Sequence, residues 1–101
     1  MPEPLPPAPA TRNVEALIRG RVQGVGYRYW TLAQAERRGL SGHVRNRDDG
    51  SVEAVFHGPA EAVAAMLAAC REGPPGARVE AVAVRELEGP GPGGVFRILR
   101  G

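Results

Sequence analysis

Val14, Ala16 and Ile18 recur with a period of two, and Val22 follows beyond Gly20 on the same side. Glu15, Arg19 and Arg21 take the opposite phase. Side chains alternate between the faces of a strand, so the pattern predicts a half-buried strand over Val14–Val22. Gln23 to Gly26 breaks the alternation with two glycines. A helix is predicted from about Tyr27 to Arg38, with Tyr27, Thr31 and Ala35 at i, i+4, i+8 and Gly39 as its stop. Two short strands, Gly42–Asn46 and Ser51–His57, flank Arg47-Asp48-Asp49-Gly50. The Asp-Gly pair suits turns that need positive φ, so these two form a hairpin. Gly58-Pro59 is expected to break the chain. A second helix follows over Ala60–Glu72, with Val63, Met66, Leu67 and Cys70 as its core-facing stripe. Val79–Leu87 reads as a strand with Val79, Ala81 and Ala83 on one face and Val82 and Val84 on the other. A Gly/Pro-rich loop over residues 88–94 leads to a last short strand, Val95–Leu99.

The order is β-α-β-β-α-β with a short fifth strand. It predicts an α+β, ferredoxin-like sandwich, an antiparallel sheet with both helices on one face. Residues 1–12 hold five of the ten prolines. Proline lacks an N–H and fixes φ, so this segment is expected to be a disordered or extended tail. Residues 13–101 are expected to form one domain.

Composition narrows the classes. The chain has 101 residues, 43% of them hydrophobic, which fits a single small globular domain. No apolar run approaches the roughly 18 residues that cross a bilayer. The N-terminus lacks a basic start followed by an apolar stretch, so no signal peptide is expected and cytoplasmic residence is the default. Cys70 is the single cysteine, so no intrachain disulfide can form. All thirteen basic residues are arginine, and the net charge is only +2. Any anion site must therefore use guanidinium or backbone N–H groups. Acidic residues are interspersed among the arginines, which argues against a nucleic-acid partner. Monomer is the default oligomeric state.

The segment from Gly20 to Arg28, GRVQGVGYR, carries the chemistry. A strand ends, the chain turns on Gly24 and Gly26, and a helix begins. Glycines let successive N–H groups point into one concavity. The first N–H groups of a helix lack internal partners and sit at the positive end of its dipole. Arg28 falls in the first helical turn, where a guanidinium can clamp a phosphate through two parallel hydrogen bonds. The segment is neither a P-loop, which needs a Lys-Ser/Thr pair, nor the three-glycine dinucleotide fingerprint. On physical grounds alone it reads equally as a tight turn that simply needs glycine.

The same run resembles the acylphosphatase family motif. Further matches follow in Thr31, Ala35, Gly39-Leu40, Gly42, Val44, Asn46 and Asp49-Gly50-Ser51-Val52-Glu53. The resemblance covers about residues 13–101 and is strongest from Arg19 to Gly58. It implies the hydrolysis of small acyl phosphates to a carboxylate and inorganic phosphate. It also implies that Arg28 binds the substrate phosphate and that Asn46 orients the attacking water. Arg21, Val22, Gln23, Gly24, Val25, Gly26 and Tyr27 would line the phosphate. No metal and no cofactor is implied. The chain departs from the family in Gly26, where members often carry a larger residue, in His43, where an aromatic is common, and in the proline-rich extension.

The implied reaction needs few reactive groups. Its leaving group is a carboxylate, whose conjugate acid has a pKa of about 4–5, so it departs unprotonated. Phosphoryl transfer runs through a loose transition state that positioning and electrostatics can stabilise. Elsewhere the residues read as structural: Cys70 as core, Asp48 and Asp49 as turn, Tyr27 and Trp30 as packing. His43 and His57 lack metal-pair spacing. Two other functions stay open on the residues alone, a binding module for RNA or a phosphometabolite and a domain of a larger enzyme. Phe56 and Phe96 are the only strand aromatics, too few for a base-stacking sheet.

Overall fold

The computed structural model describes residues 10–100, so most of the expected proline-rich tail, residues 1–9, lies outside the described residues. The chain order is β1 (Thr11–Arg21), α1 (Tyr27–Arg37), β2 (Ser41–Asn46), β3 (Val52–Pro59), α2 (Ala60–Glu72), β4 (Arg78–Glu86) and β5 (Phe96–Ile98). The strands form one sheet in the order β4-β1-β3-β2-β5. Val14, Ala16 and Ile18 of β1 face the helices, opposite Phe56, Ala54 and Val52 of β3. The helices add Tyr27, Thr31 and Ala35 from α1, and Val63, Met66, Leu67 and Cys70 from α2. These residues are the core stripes expected from the spacing.

Four features depart from the expectation. The sheet is mixed: β5 lies parallel to β2, pairing Gly42 with Phe96 and Val44 with Ile98. The loop from Leu87 to Val95 carries the chain from one edge of the sheet to the other, and β5 arrives pointing the way of β2. Thr11 and Arg12 belong to β1, paired with Pro59 and Gly58. The prolines end at Pro9, so both residues keep the N–H groups a strand needs. Gly58-Pro59 therefore forms the end of β3, which runs past the expected stop at His57. The fourth departure is in β4. A bulge shifts the register between Arg19 and Gly20, leaving Glu80 without a partner opposite β1. Two residues then span the space of one, and the alternation changes phase. Val79 and Val82 both pack against the core, whereas the sequence pattern separates them.

Gly20 and Gly42 explain how the strands approach. Gly20 has φ +130°, and a Cβ there would collide with the Arg78 carbonyl; Gly42 has φ +133°, and a Cβ would collide with the Val55 carbonyl. Neither position admits a side chain without moving backbone. At the far edge, Phe96 stacks on Phe56 with ring centroids 5.6 Å apart, anchoring the three-residue β5.

Candidate active site

The segment between β1 and α1 turns on two glycines in the left-handed region, Gly24 at φ +76° and Gly26 at φ +78°. Gly26 is the N-cap of α1, and its carbonyl accepts from the Trp30 N–H at 3.0 Å. No side chain caps this helix end, and no acidic residue sits in its first turn. The N–H groups of the first turn are thus left for a ligand, with the helix dipole adding positive potential. A Cβ at Gly24 or Gly26 would meet nothing within 4 Å, so the approach to the loop is open.

Val22, Gln23, Gly24, Gly26, Tyr27, Arg28, Tyr29 and Asn46 line one cleft of about 190 Å³. The Arg28 side chain forms no hydrogen bond or ion pair with any described residue. Arg45 and Arg47, on either side of Asn46 in sequence, pair with Glu53, and Arg19 reaches Asp49 at 3.8 Å. Asn46 ends β2 on the helix-facing side, opposite Val52. The pairing of β5 stops at Val44, so the end of β2 that carries Asn46 is not covered by that strand. Asn46 Oδ1 is shielded and has no hydrogen-bond partner among the described residues. A buried polar atom without a partner is costly, and such atoms are retained where a ligand completes them. Asn46 also borders a second groove of about 290 Å³ with Arg45, Arg47, Asp48 and Asp49.

The structure brings Arg28 and Asn46 together with Val22, Gln23, Gly24, Gly26 and Tyr27, as the sequence motif arranges them. Arg21 and Val25 do not line the cleft. Arg21 is the last residue of β1 and pairs with Arg78, and Val25 packs against the core. The Tyr27 ring is 1% exposed, and its hydroxyl donates to the Cys70 carbonyl at 2.7 Å, so only its backbone is available to a ligand. Tyr29 joins the cleft, with 70% exposure, and nothing in the spacing singles it out.

The groups read as structural from the sequence behave that way. Burial pushes the Cys70 thiol up to about 11, keeping it protonated. Burial also raises the Tyr27 phenol well above its ordinary range, with Cys70 as the next contribution. Asp49 Oδ1 accepts from the Ser51 hydroxyl at 2.5 Å and the Ser51 N–H at 2.9 Å. Those bonds hold its carboxyl below the usual carboxylate range and make it a turn residue. Among the described residues no group of three or more His, Cys, Asp or Glu side chains is placed to hold a metal ion.

Fold and site together define a ferredoxin-like α+β protein with a glycine loop at a helix start and an asparagine lining the same cleft. Residues 14–98 match the acylphosphatase family model. The chain is 66% identical over 68 residues to an acylphosphatase of Nitrobacter hamburgensis, covering 67% of this chain and 69% of that protein. It is 56% identical over 88 residues to one of Azorhizobium caulinodans, covering 87% of this chain and 95% of that protein. Among solved structures, an acylphosphatase from Bacillus subtilis superposes with a TM-score of 0.83 at 37% identity, over 86% of this chain and 97% of that one. The chain belongs to the acylphosphatase family, hydrolases that act on acid anhydrides.

Proposed function

We propose that this chain hydrolyses the carboxyl–phosphate bond of small acyl phosphates, with Arg28 and the loop amides holding the phosphoryl group and Asn46 holding the attacking water. The observation that carries this reading is the meeting, in one cleft, of an arginine and an asparagine Oδ1 that have no hydrogen-bond partner among the described residues. Amides from Val22 to Tyr27 offer donors to the equatorial oxygens, and the Arg28 guanidinium offers a paired set. The Asn46 amide accepts from water and aligns it for in-line attack on phosphorus. The P–O bond to the acyl oxygen breaks, and the carboxylate leaves with the electron pair. Its low basicity removes the need for a general acid. A phosphoryl oxygen of the substrate takes the proton that the water gives up. The rate then rests on positioning and on fixed positive charge and dipoles. The same reading places the enzyme in the cytoplasm as a monomer with no nucleic-acid partner. Its support is a single buried thiol and interspersed charges.

Phosphate release from benzoyl phosphate, measured with chelator present, tests the activity. Arg28→Ala is expected to lower kcat/KM at least about 100-fold, the loss of about 3 kcal/mol from a charge-assisted clamp. A wild-type rate no higher than that of Arg28→Ala would remove the hydrolytic reading. Asn46→Ala is expected to lower kcat while leaving the inhibition constant of inorganic phosphate within about threefold, because it touches water and not phosphate. The opposite pattern would assign Asn46 to phosphate binding.

A further inference from the structure

Gln23 lies in the loop between Val22 and Gly24 and lines the cleft, and its side chain reaches across to the β2–β3 hairpin. Its Nε2 donates to the Arg47 carbonyl at 2.8 Å and to the Ser51 carbonyl at 2.9 Å. Both amide hydrogens are therefore used, which fixes the plane of the group. The two acceptors form the base of the β2–β3 hairpin, where the Arg47 N–H also donates to the Ser51 carbonyl at 2.9 Å. Arg47 directly follows Asn46. One primary amide thus links the loop facing the phosphate to the backbone that carries the water-binding residue. Val22, Val25 and Tyr27 anchor the loop to the core, but no other side-chain hydrogen bond among the described residues ties it to the hairpin. Gly24 and Gly26 have open space on the side where a Cβ would stand.

We propose that the Gln23 side chain is a positioning residue, a strut that sets the offset between the held phosphoryl group and Asn46. The inference rests on the function proposed above. In-line attack demands a narrow geometry, and a displacement of about 1 Å can cost about 100-fold in rate. Gln23 acts through Asn46, so its effect depends on Asn46 being there.

That dependence supplies the test. Gln23→Met keeps length and flexibility but removes both donors. Single-turnover hydrolysis of benzoyl phosphate, with enzyme in excess, is compared in four proteins: wild type, Gln23→Met, Asn46→Ala and the double variant. Gln23→Met is expected to lower the rate about tenfold in the wild-type background and less than about twofold in the Asn46→Ala background. The inhibition constant of inorganic phosphate is expected to stay within about threefold of wild type. Equal losses in both backgrounds, or a phosphate affinity that falls as far as the rate, would overturn the strut. Should Gln23→Met fail to fold, Gln23→Glu at neutral pH decides in its place. It keeps the length and sets a carboxylate against two carbonyl oxygens. An inactive wild type would instead remove the parent reading, so the two failures remain distinct.

Discussion

At the residue scale, the site is set by which polar groups the fold leaves uncommitted. Arg45, Arg47 and Arg19 have acidic partners, whereas Arg28 has none among the described residues. The contrast was legible in the sequence only in part. The loop pattern makes Arg28 a candidate clamp on physical grounds, on equal terms with a plain glycine turn, and Asn46 is an ordinary strand-end residue until the family motif singles it out. The Gln23 side chain was not legible at all, because its acceptors are carbonyls 24 and 28 residues away. The glycines allow a sharper statement. Gly24 needs positive φ but has room for a methyl group, so Gly24→Ala is expected to cost about 1–2 kcal/mol of stability. Gly42 needs positive φ and has no room, since a Cβ would collide with the Val55 carbonyl. Gly42→Ala is expected to cost roughly 2–4 kcal/mol, strain and overpacking together. Urea unfolding of the two variants ranks them, and a Gly42→Ala protein as stable as Gly24→Ala would contradict the close approach.

At the scale of elements, local pattern identified each helix and strand, and misses came from partners distant in sequence. Ala60–Glu72 has the bounds expected from its four-residue apolar stripe. The phase of β4 is not legible in the sequence because its bulge is a property of the pairing with β1, and neither strand shows it alone. The parallel direction of β5 is not legible in the sequence for a similar reason: the loop before it crosses the sheet, and three residues carry too little pattern to reveal their neighbour. This strand pairs with β2 at a few positions, and its one fully buried side chain is Phe96, stacked on Phe56. Phe96→Ala is expected to destabilise the domain by about 3–5 kcal/mol through lost burial and a cavity. Because β5 sits at the sheet edge, the loss falls first on local opening. Amide exchange is expected to quicken most at Leu99, whose N–H donates to the Val44 carbonyl at 2.8 Å and ties the segment to β2. Uniform acceleration across β1 and β3 would show that β5 does not open separately.

At the scale of the whole molecule, charge and burial set how stability responds to pH. Asp49 and Glu86 are held below their ordinary values of 3.8 and 4.5, by hydrogen bonds to Ser51 and Arg12 respectively. The folded chain binds fewer protons there than the unfolded chain, so their contribution is present above those values and fades as pH falls through them. The alkaline side has the opposite sign. Cys70 would ionise near 9.0 when unfolded, but burial holds its proton until about 11. Between these values the folded chain binds more protons, and stability falls as pH rises. The interval corresponds to roughly 2–3 kcal/mol. Tyr27 adds to the decline from its ordinary value of 10.0 upward. The absence of lysine keeps this window simple, because all thirteen basic side chains are arginines that stay charged throughout it. Chemical unfolding followed by circular dichroism is therefore expected to give a plateau from about pH 5 to 9 and a fall above it. In Cys70→Ala the slope between about pH 9 and 10 is expected to flatten, whatever that variant costs in absolute stability. An unchanged slope would mean that some other group releases the proton, and the buried thiol would lose its place at the alkaline edge.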